Sequence, residues 1–595
     1  MIVARRSVQA TFCATLVDEW VRAGVRHAVV CPGSRSTPLA LALAADGRLQ
    51  VTVRLDERSA GFSALGIGLA SGQPAVVCVT SGTAAAELHP AVVEAHHAHV
   101  PLLVCTADRP PELHHVGAPQ TIDQTRLYGP AVRWWADPGV PDPATAGTWR
   151  SLAARAVAET LGNPAGPGPV QLNLALRDPL VGEPGELPPG RPGGAPWHRL
   201  AAPAGGDGDR PRWRHALAPV LEAAAGRGLL VAGAGAGHPE AVLAAGEALG
   251  WPVLADPRSG CRLARPGVVA HADALLRDPE LAGQLQPEVV VTLGRPWASK
   301  VLAGFVAGAA GAGATVMAVD PHAAWLDPDR LAASTVVADP SAWCRALVEA
   351  VPAAATAHRA EDAPATWSGR WGAADAAAAD ALRRWCAEQP GLTEPCLARL
   401  LVQTLPPSAT LVAASSMPVR DVEWYAPARA RPPRVVANRG ANGIDGVVST
   451  AIGVALACGP SVALVGDLAF LHDLSALVRV DPRPVACTVV VADNGGGGIF
   501  SFLPQAQLLD QARFETLFGT APLVDVAEAA GGLGIPTTEV GDAATLVEGL
   551  RTALGCGRLS VLRARLPDRG TNASLHDDLH RAMAAAARSA LASGG

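Results

Sequence analysis

Three doubly wound α/β domains, each built on a parallel sheet, are the fold class this sequence predicts, and three observations carry the prediction. The chain is 595 residues long, too long for one hydrophobic core and about right for three. Short apolar runs rich in Val, Leu and Ala alternate with helix-like stretches along most of it, the pattern of parallel strands joined by crossover helices. That alternation is interrupted twice, by Gly, Pro and Ala from Gly182 to about Arg212 and by an Ala-rich stretch around Ala353 to Pro364, as linkers would do. The expected division is residues 1–185, a linker over 186–212, residues 213–355, a second linker over 356–390, and residues 391–595.

In the first block the strand-like runs are His27 to Cys31, Gln50 to Leu55, Ala75 to Thr80, Val100 to Thr106 and Val170 to Leu174. The second of these runs into Asp56-Glu57, where Asp56 fits a helix N-cap and Glu57 a first-turn acid that complements the helix dipole. The middle block begins with a strand at Gly228 to Val231 and continues through Val289 to Leu293 and Thr315 to Asp320. Its Gly233-Ala234-Gly235-Ala236-Gly237 run lacks the third glycine of a dinucleotide fingerprint, because His238 stands there; a structural turn is the preferred reading. In the last block Thr410 to Ala414, Ser461 to Val465 and Cys487 to Val491 read as strands, and the alanine-rich tail after Arg581 as a segment that frays.

Composition excludes several function classes. Net charge is −6 and no stretch carries a clustered basic face, so nucleic acid is not an expected partner. The eleven cysteines are scattered without a C-x-x-C pair, which predicts reduced thiols in a cytoplasmic protein. Arg5-Arg6 is followed by a stretch broken by Gln9 and Asp18-Glu19, so no signal peptide is expected, and no apolar run reaches membrane-spanning length. Of 48 basic residues only Lys300 is a lysine, which marks it as a position where a compact ammonium is wanted.

The sharpest chemistry lies at two strand ends. Gly466-Asp467-Leu468 closes one strand and Asp493-Asn494-Gly495-Gly496 the next, with enough chain between them for one crossover. Each strand then delivers a hard oxygen ligand at its carboxyl end, where open parallel sheets bind ligands. Asp467 would supply a carboxylate, Asn494 an amide oxygen and Gly496 a backbone carbonyl, leaving positions on an octahedral Mg²⁺ for diphosphate and water. The layout resembles the metal motif of the thiamine diphosphate enzyme superfamily, with Leu468 where glycine is common.

Longer words narrow the resemblance. Pro32-Gly33-Ser34-Arg35-Ser36-Thr37-Pro38, Thr106-Ala107-Asp108-Arg109-Pro110-Pro111-Glu112-Leu113 and Asn438-Arg439-Gly440-Ala441-Asn442-Gly443-Ile444-Asp445-Gly446 together resemble the 2-succinyl-5-enolpyruvyl-6-hydroxy-3-cyclohexene-1-carboxylate synthase family of menaquinone biosynthesis. The resemblance implies a homodimer or homotetramer with active sites at subunit interfaces. It also implies thiamine diphosphate and Mg²⁺ (Mn²⁺ as the other ion), and decarboxylation of 2-oxoglutarate followed by conjugate addition to isochorismate. It gives catalytic roles to Glu57, which activates the cofactor's pyrimidine, to Gln120 and to Arg420. Around the cofactor it places Ser415, Ser416, Gly440 and Ile444, then Gly466, Asp467, Leu468 and Asn494, with Ile499 and Phe500 as an apolar wall. For the substrates it implies Ser34, Arg35, Arg109 and Gln120, together with Lys300, Ser416, Arg420 and Arg439. Four carboxylates brought to one site by two substrates account for so many cations.

This sequence departs from the family at Pro119, where Asn is expected, and at Val301, where some relatives carry a second cation. His114-His115 resembles the paired histidines of pyruvate decarboxylases, but the words around it belong to the synthase pattern. His96, His97 and His99 have a spacing that does not converge on one ion. Another 2-oxo acid decarboxylase or an acetolactate-type synthase is the alternative within enzymes, and a non-catalytic protein that kept the fold is the alternative outside them.

Overall fold

Every apolar run marked as a strand is one, and together with further strands the runs assemble into three six-stranded, all-parallel sheets. A computed structural model describes residues 6–198, 210–222, 226–295, 298–351 and 366–593. Residues 353–364, and 199–209 of the first predicted linker, lie outside the described residues. The first sheet comprises β1 (His27–Val30), β2 (Gln50–Val53), β3 (Ala75–Val79), β4 (Leu102–Asp108), β5 (Trp134–Ala136) and β6 (Pro169–Ala175), in the spatial order β2-β1-β3-β4-β6-β5. The second comprises β7 (Gly228–Ala232), β8 (Val253–Ala255), β9 (Val268–Val269), β10 (Val289–Leu293), β11 (Thr315–Asp320) and β12 (Ala332–Val337), ordered β9-β8-β7-β10-β11-β12. The third comprises β13 (Thr410–Ala413), β14 (Arg434–Val436), β15 (Ser461–Gly466), β16 (Cys487–Asp493), β17 (Thr537–Val540) and β18 (Ser560–Arg565), ordered β14-β13-β15-β16-β18-β17. The first and third sheets thus share one topology, and the middle sheet has the order of a dinucleotide-binding fold.

Continuous apolar strands are buried on both faces, as parallel sheets require. Ala28 and Val30 pack into one cluster while Val29 and Cys31 pack into another. Leu411 and Ala413 divide from Val412 and Ala414 in the same way in the third sheet. The doubly wound expectation therefore holds. Despite the middle sheet's order, its glycine run is a packing device. A Cβ on Gly233 would lie 1.7 Å from the Arg295 carbonyl oxygen, and Gly237 has φ +97°.

Three expectations need correction. The stretch 356–390 is not all linker, because Trp367–Glu388 forms a helix with Trp371, Ala374 and Ala378 fully buried. The alanine-rich tail does not fray either: Arg569–Ser593 is a helix. Its Leu579, Met583, Ala584 and Ala587 share one core cluster with Trp371 and with Leu275 and Leu276 of the middle block, since alanine's small side chain lets two helices approach closely. Finally, Cys386 and Cys396 are paired in a disulfide with Cα atoms 5.6 Å apart, brought together where one helix hands over to the next.

The first and third blocks meet along two crossing helices, Glu57–Ser71 and Val447–Cys458. A Cβ on Gly66 would lie 2.1 Å from the Thr450 carbonyl oxygen, and one on Gly453 2.0 Å from that of Ser63. Backbone meets backbone there, so neither side can rotate away. Gly66→Ala is expected to destabilise the protein by about 3 kcal/mol, the upper part of the usual overpacking range, read as a lowered urea midpoint with unchanged slope.

Candidate functional site

β15 and β16 run side by side in register, with Gly466 opposite Ala492, so Asp467 and Asn494 emerge together at the carboxyl edge of the third sheet. Asp467 opens the Asp467–His472 helix. Its carboxylate accepts from the backbone N–H of Leu468 at 2.7 Å and from that of Gly496 at 2.6 Å. Burial pushes its carboxyl up to about 6, the response of an anion held away from water without a counter-cation. Asn494 is buried, its Nδ2 donates to Glu394 Oε1 at 2.5 Å, and its Oδ1 has no partner. The turn that carries Gly496 requires glycine: φ is +78° at Gly495 and +130° at Gly496, and a Cβ on Gly496 would lie 2.2 Å from the Gly519 carbonyl oxygen. Asp493 faces elsewhere, 2.7 Å from Arg563.

These groups open into a cavity of about 400 Å³. Ile444, Leu468, Ile499 and Phe500 supply apolar wall, and Gly466, Ser415, Ser416, Arg420 and Arg439 line it as well. Ser416 has φ +73°, a left-handed backbone that an L residue adopts only where its surroundings enforce it. It caps the Met417–Tyr425 helix, from which Arg420 Nη1 donates back to the Ser416 carbonyl at 2.5 Å. Burial lowers Arg420. Burial, with Arg258 and Arg420 nearby, brings Arg439 down to about 10. Two partly desolvated guanidiniums in one cavity attract anionic ligands.

Gly440 does not line this cavity. A Cβ there would meet the Glu94 carbonyl oxygen at 2.5 Å, so its glycine serves the approach of a first-block helix. Glu94 accepts from the N–H groups of Gly440 and Ala441 at 2.7 and 2.6 Å, and so pins the loop that carries Arg439 and Ile444.

Sequence reasoning missed a buried cluster, two members of which, Glu394 and Asp421, line the cavity. Glu394, Asp421 and His576 each place one ligand atom within 4.8 Å of the others. His576 Nδ1 lies 2.9 Å from the Asn572 carbonyl and Nε2 lies 3.0 Å from Asp421 Oδ1, so both ring nitrogens are engaged. A carbonyl only accepts, which puts a proton on Nδ1. Burial raises Asp421 to about 8 and lowers His576, each shift disfavouring the charged form. Burial likewise raises Glu394 to about 7. Thr393-Glu394-Pro395 reads locally as an ordinary helix start, and its partner Asn494 is 100 residues away.

The remaining predicted residues do not line the cavity; all but Lys300 gather at the carboxyl edge of the first sheet. Ser34 and Arg35 follow β1, Glu57 follows β2 and Arg109 follows β4. Glu57 is half-buried at the start of its helix, and burial raises its carboxyl. Arg35 Nη1 donates to the Leu176 carbonyl at 2.9 Å and to Asp178 at 3.1 Å, while buried Arg109 keeps Nη1 without a partner. Burial, with Arg35 nearby, lowers Arg109. Gln120, at φ +55°, is tied by its Nε2 to the Ser81 carbonyl at 3.0 Å. Lys300 is exposed at the start of the Lys300–Gly311 helix. The loop before it is held by Glu423, which accepts from the N–H groups of Ala298 and Ser299 at 3.2 and 3.3 Å.

An all-oxygen donor set with one buried, unpartnered amide oxygen and a carboxylate suits a hard divalent ion, and the cavity beside it suits a diphosphate ester. Residues 11–127 match the family model described as thiamine pyrophosphate enzyme, N-terminal TPP binding domain. Residues 217–412 match the middle domain of thiamine pyrophosphate, and 422–564 the C-terminal TPP binding domain. The 2-succinyl-5-enolpyruvyl-6-hydroxy-3-cyclohexene-1-carboxylate synthase of Myxococcus xanthus (strain DK1622) is 41% identical over 97% of this chain and 98% of its own. The proteins of that name from Geobacillus thermodenitrificans (strain NG80-2) and Thermobifida fusca (strain YX) are 40% and 42% identical, over 95% and 96% of this chain and 94% and 98% of their own.

Proposed function

Because the chain belongs to the 2-succinyl-5-enolpyruvyl-6-hydroxy-3-cyclohexene-1-carboxylate synthase family of thiamine diphosphate enzymes, we infer that it is an enzyme that joins the decarboxylated residue of 2-oxoglutarate to isochorismate. It is a transferase of menaquinone biosynthesis. The observation that carries the reading is the buried Asp467–Asn494 pair at neighbouring strand ends, opening into a cavity that also holds Arg420 and Arg439.

Thiamine diphosphate, when bound, supplies the electron sink that lets a 2-oxo acid lose CO₂. Asp467, Asn494 and the Gly496 carbonyl would hold Mg²⁺, or Mn²⁺ in its place, against the diphosphate. Ile444, Ile499 and Phe500 would form the apolar wall beside the rings, and Ser415, Ser416, Gly466 and Leu468 would border them. Arg420 and Arg439 would hold substrate carboxylates and exclude uncharged competitors. Glu57 would hold and move the proton at the pyrimidine N1′.

The first-sheet edge, with Ser34, Arg35, Glu57, Arg109 and Gln120, and the third-sheet edge are two complementary half-sites. A second copy of the chain would bring one against the other, so the working form is a homodimer or homotetramer. Gly440 then acts through the loop it allows to dock, and Lys300 from the rim. No described helix is long and apolar enough to cross a membrane; the cytoplasm is the location we propose.

The test is donor choice. CO₂ release from 2-oxoglutarate should accompany loss of isochorismate, and 2-oxoglutarate should exceed pyruvate at least a hundredfold in kcat/KM. Leaving a buried charge unpaired costs on the order of 3–5 kcal/mol, and each 1.36 kcal/mol is about tenfold in rate. Arg420→Ala should erode that ratio by weakening 2-oxoglutarate. Equal use of the two donors would favour an acetolactate-type synthase.

A further inference from the structure

The Asn494 side chain poses a problem that its own chemistry does not solve. An amide turned by half a circle swaps oxygen for NH₂ with almost no change in shape. One orientation offers an acceptor to a cation, and the other offers two partial positive hydrogens. Asn494 is buried, so bulk water does not decide between them. Its only side-chain hydrogen bond among the described residues is the donation from Nδ2 to Glu394 Oε1 at 2.5 Å. In this bond Glu394 Oε1 accepts, so the nitrogen faces Glu394 and Oδ1 faces away. Oδ1 is the buried atom left without a partner, on a residue that lines the cavity beside Asp467.

Glu394 is itself buried, with Oε2 lacking a hydrogen-bond partner among the described residues. It is 2% exposed and opens the Glu394–Thr404 helix, whose cap Thr393 accepts from the Cys396 N–H. We propose that Glu394 is a positioning residue for the metal site: it locks the amide of Asn494 with oxygen toward the ion and so sets Mg²⁺ affinity without touching the ion. The inference rests on Asn494 being a metal ligand. It assigns Glu394 no part in the bond-making steps.

Mg²⁺ titrated calorimetrically into the full-length protein with saturating thiamine diphosphate tests it. Partners that orient ligands typically account for 10- to 100-fold in metal affinity, and Glu394→Met, which removes the acceptor, should weaken Mg²⁺ by that much. Glu394→Gln keeps an oxygen that can accept from Nδ2 and should stay within about threefold of wild type. The swap Glu394→Gln with Asn494→Asp reverses the donor and keeps the bond, and should also retain affinity; it decides the question if the methionine variant does not fold. Glu394→Met with wild-type affinity, Glu394→Gln as weak as Glu394→Met, or a swap as weak as Asn494→Ala would each overturn the proposal. Asn494→Ala separates the two levels of argument: if it binds Mg²⁺ like wild type, the metal assignment falls and this inference with it. If it binds weakly while Glu394→Met does not, only the inference falls.

Discussion

Asp467→Ala is expected to abolish Mg²⁺-dependent retention of thiamine diphosphate. The carboxylate is the only anionic ligand in the proposed set, and Mg²⁺ tolerates little departure from its octahedron of hard oxygens. Asp467 also has a local duty, since it accepts the Gly496 N–H at 2.6 Å and so shapes the turn that offers the third ligand. Alanine therefore removes one ligand and loosens another. Asp467→Asn keeps an oxygen and the shape but not the charge, and should bind the cofactor weakly. Calorimetry with thiamine diphosphate at fixed Mg²⁺ reads both variants. An unchanged affinity in the alanine variant would remove the clamp from consideration.

Glu57→Gln should leave the fold and most of the cofactor affinity intact while slowing turnover by about 10² to 10⁴, the usual loss when a positioned proton-transfer group is removed. Glu57 begins its helix behind the Asp56 cap, whose side chain accepts from Arg58 and Ser59. Glutamine at the following position disturbs none of those bonds. The diagnostic measurement is hydrogen–deuterium exchange at C2 of bound cofactor, which should slow in parallel with turnover; exchange at the wild-type rate would take this role away from Glu57.

Much of this was legible in the sequence because it is local. Runs such as Val289 to Leu293 and Thr315 to Asp320 were read with the bounds the structure gives them, since a strand buried on both faces is apolar throughout. Strands such as Ala332–Val337 at a sheet edge, or Ser560–Arg565 with its alternating arginines, carry no such run and were not read. The oxygen pair at Asp467 and Asn494 was visible because each ends a strand. Glu394 was not, since its meaning lies in a bond to a residue 100 positions away. Periodicity and capping report only on neighbours. Gly440 shows the converse: the resemblance places it around the cofactor, but the reason for glycine is the Glu94 helix, which no local pattern announces. The alanine-rich tail and the stretch before Glu394 misled for one reason, because low complexity was read as looseness where small side chains serve close helix packing.

The docking of Arg569–Ser593 against Trp367–Glu388 and the middle block has a temporal side. Synthesis is vectorial, and the whole third sheet must be translated between those two helices. At ribosomal rates of about 5–20 residues per second, the apolar surface around Trp371 and Leu275 waits on the order of 10 to 40 s for its cover, besides the time the tunnel delays release. During that interval the nascent middle block exposes an apolar flank that the final helix covers once it leaves the ribosome. Chains truncated by premature stop codons ahead of Arg569 would keep that flank open permanently, and would also lose His576 beside Glu394 and the Arg569 donor to the Gly495 carbonyl, so they would be removed by proteolysis or aggregation rather than accumulate as weakened enzyme.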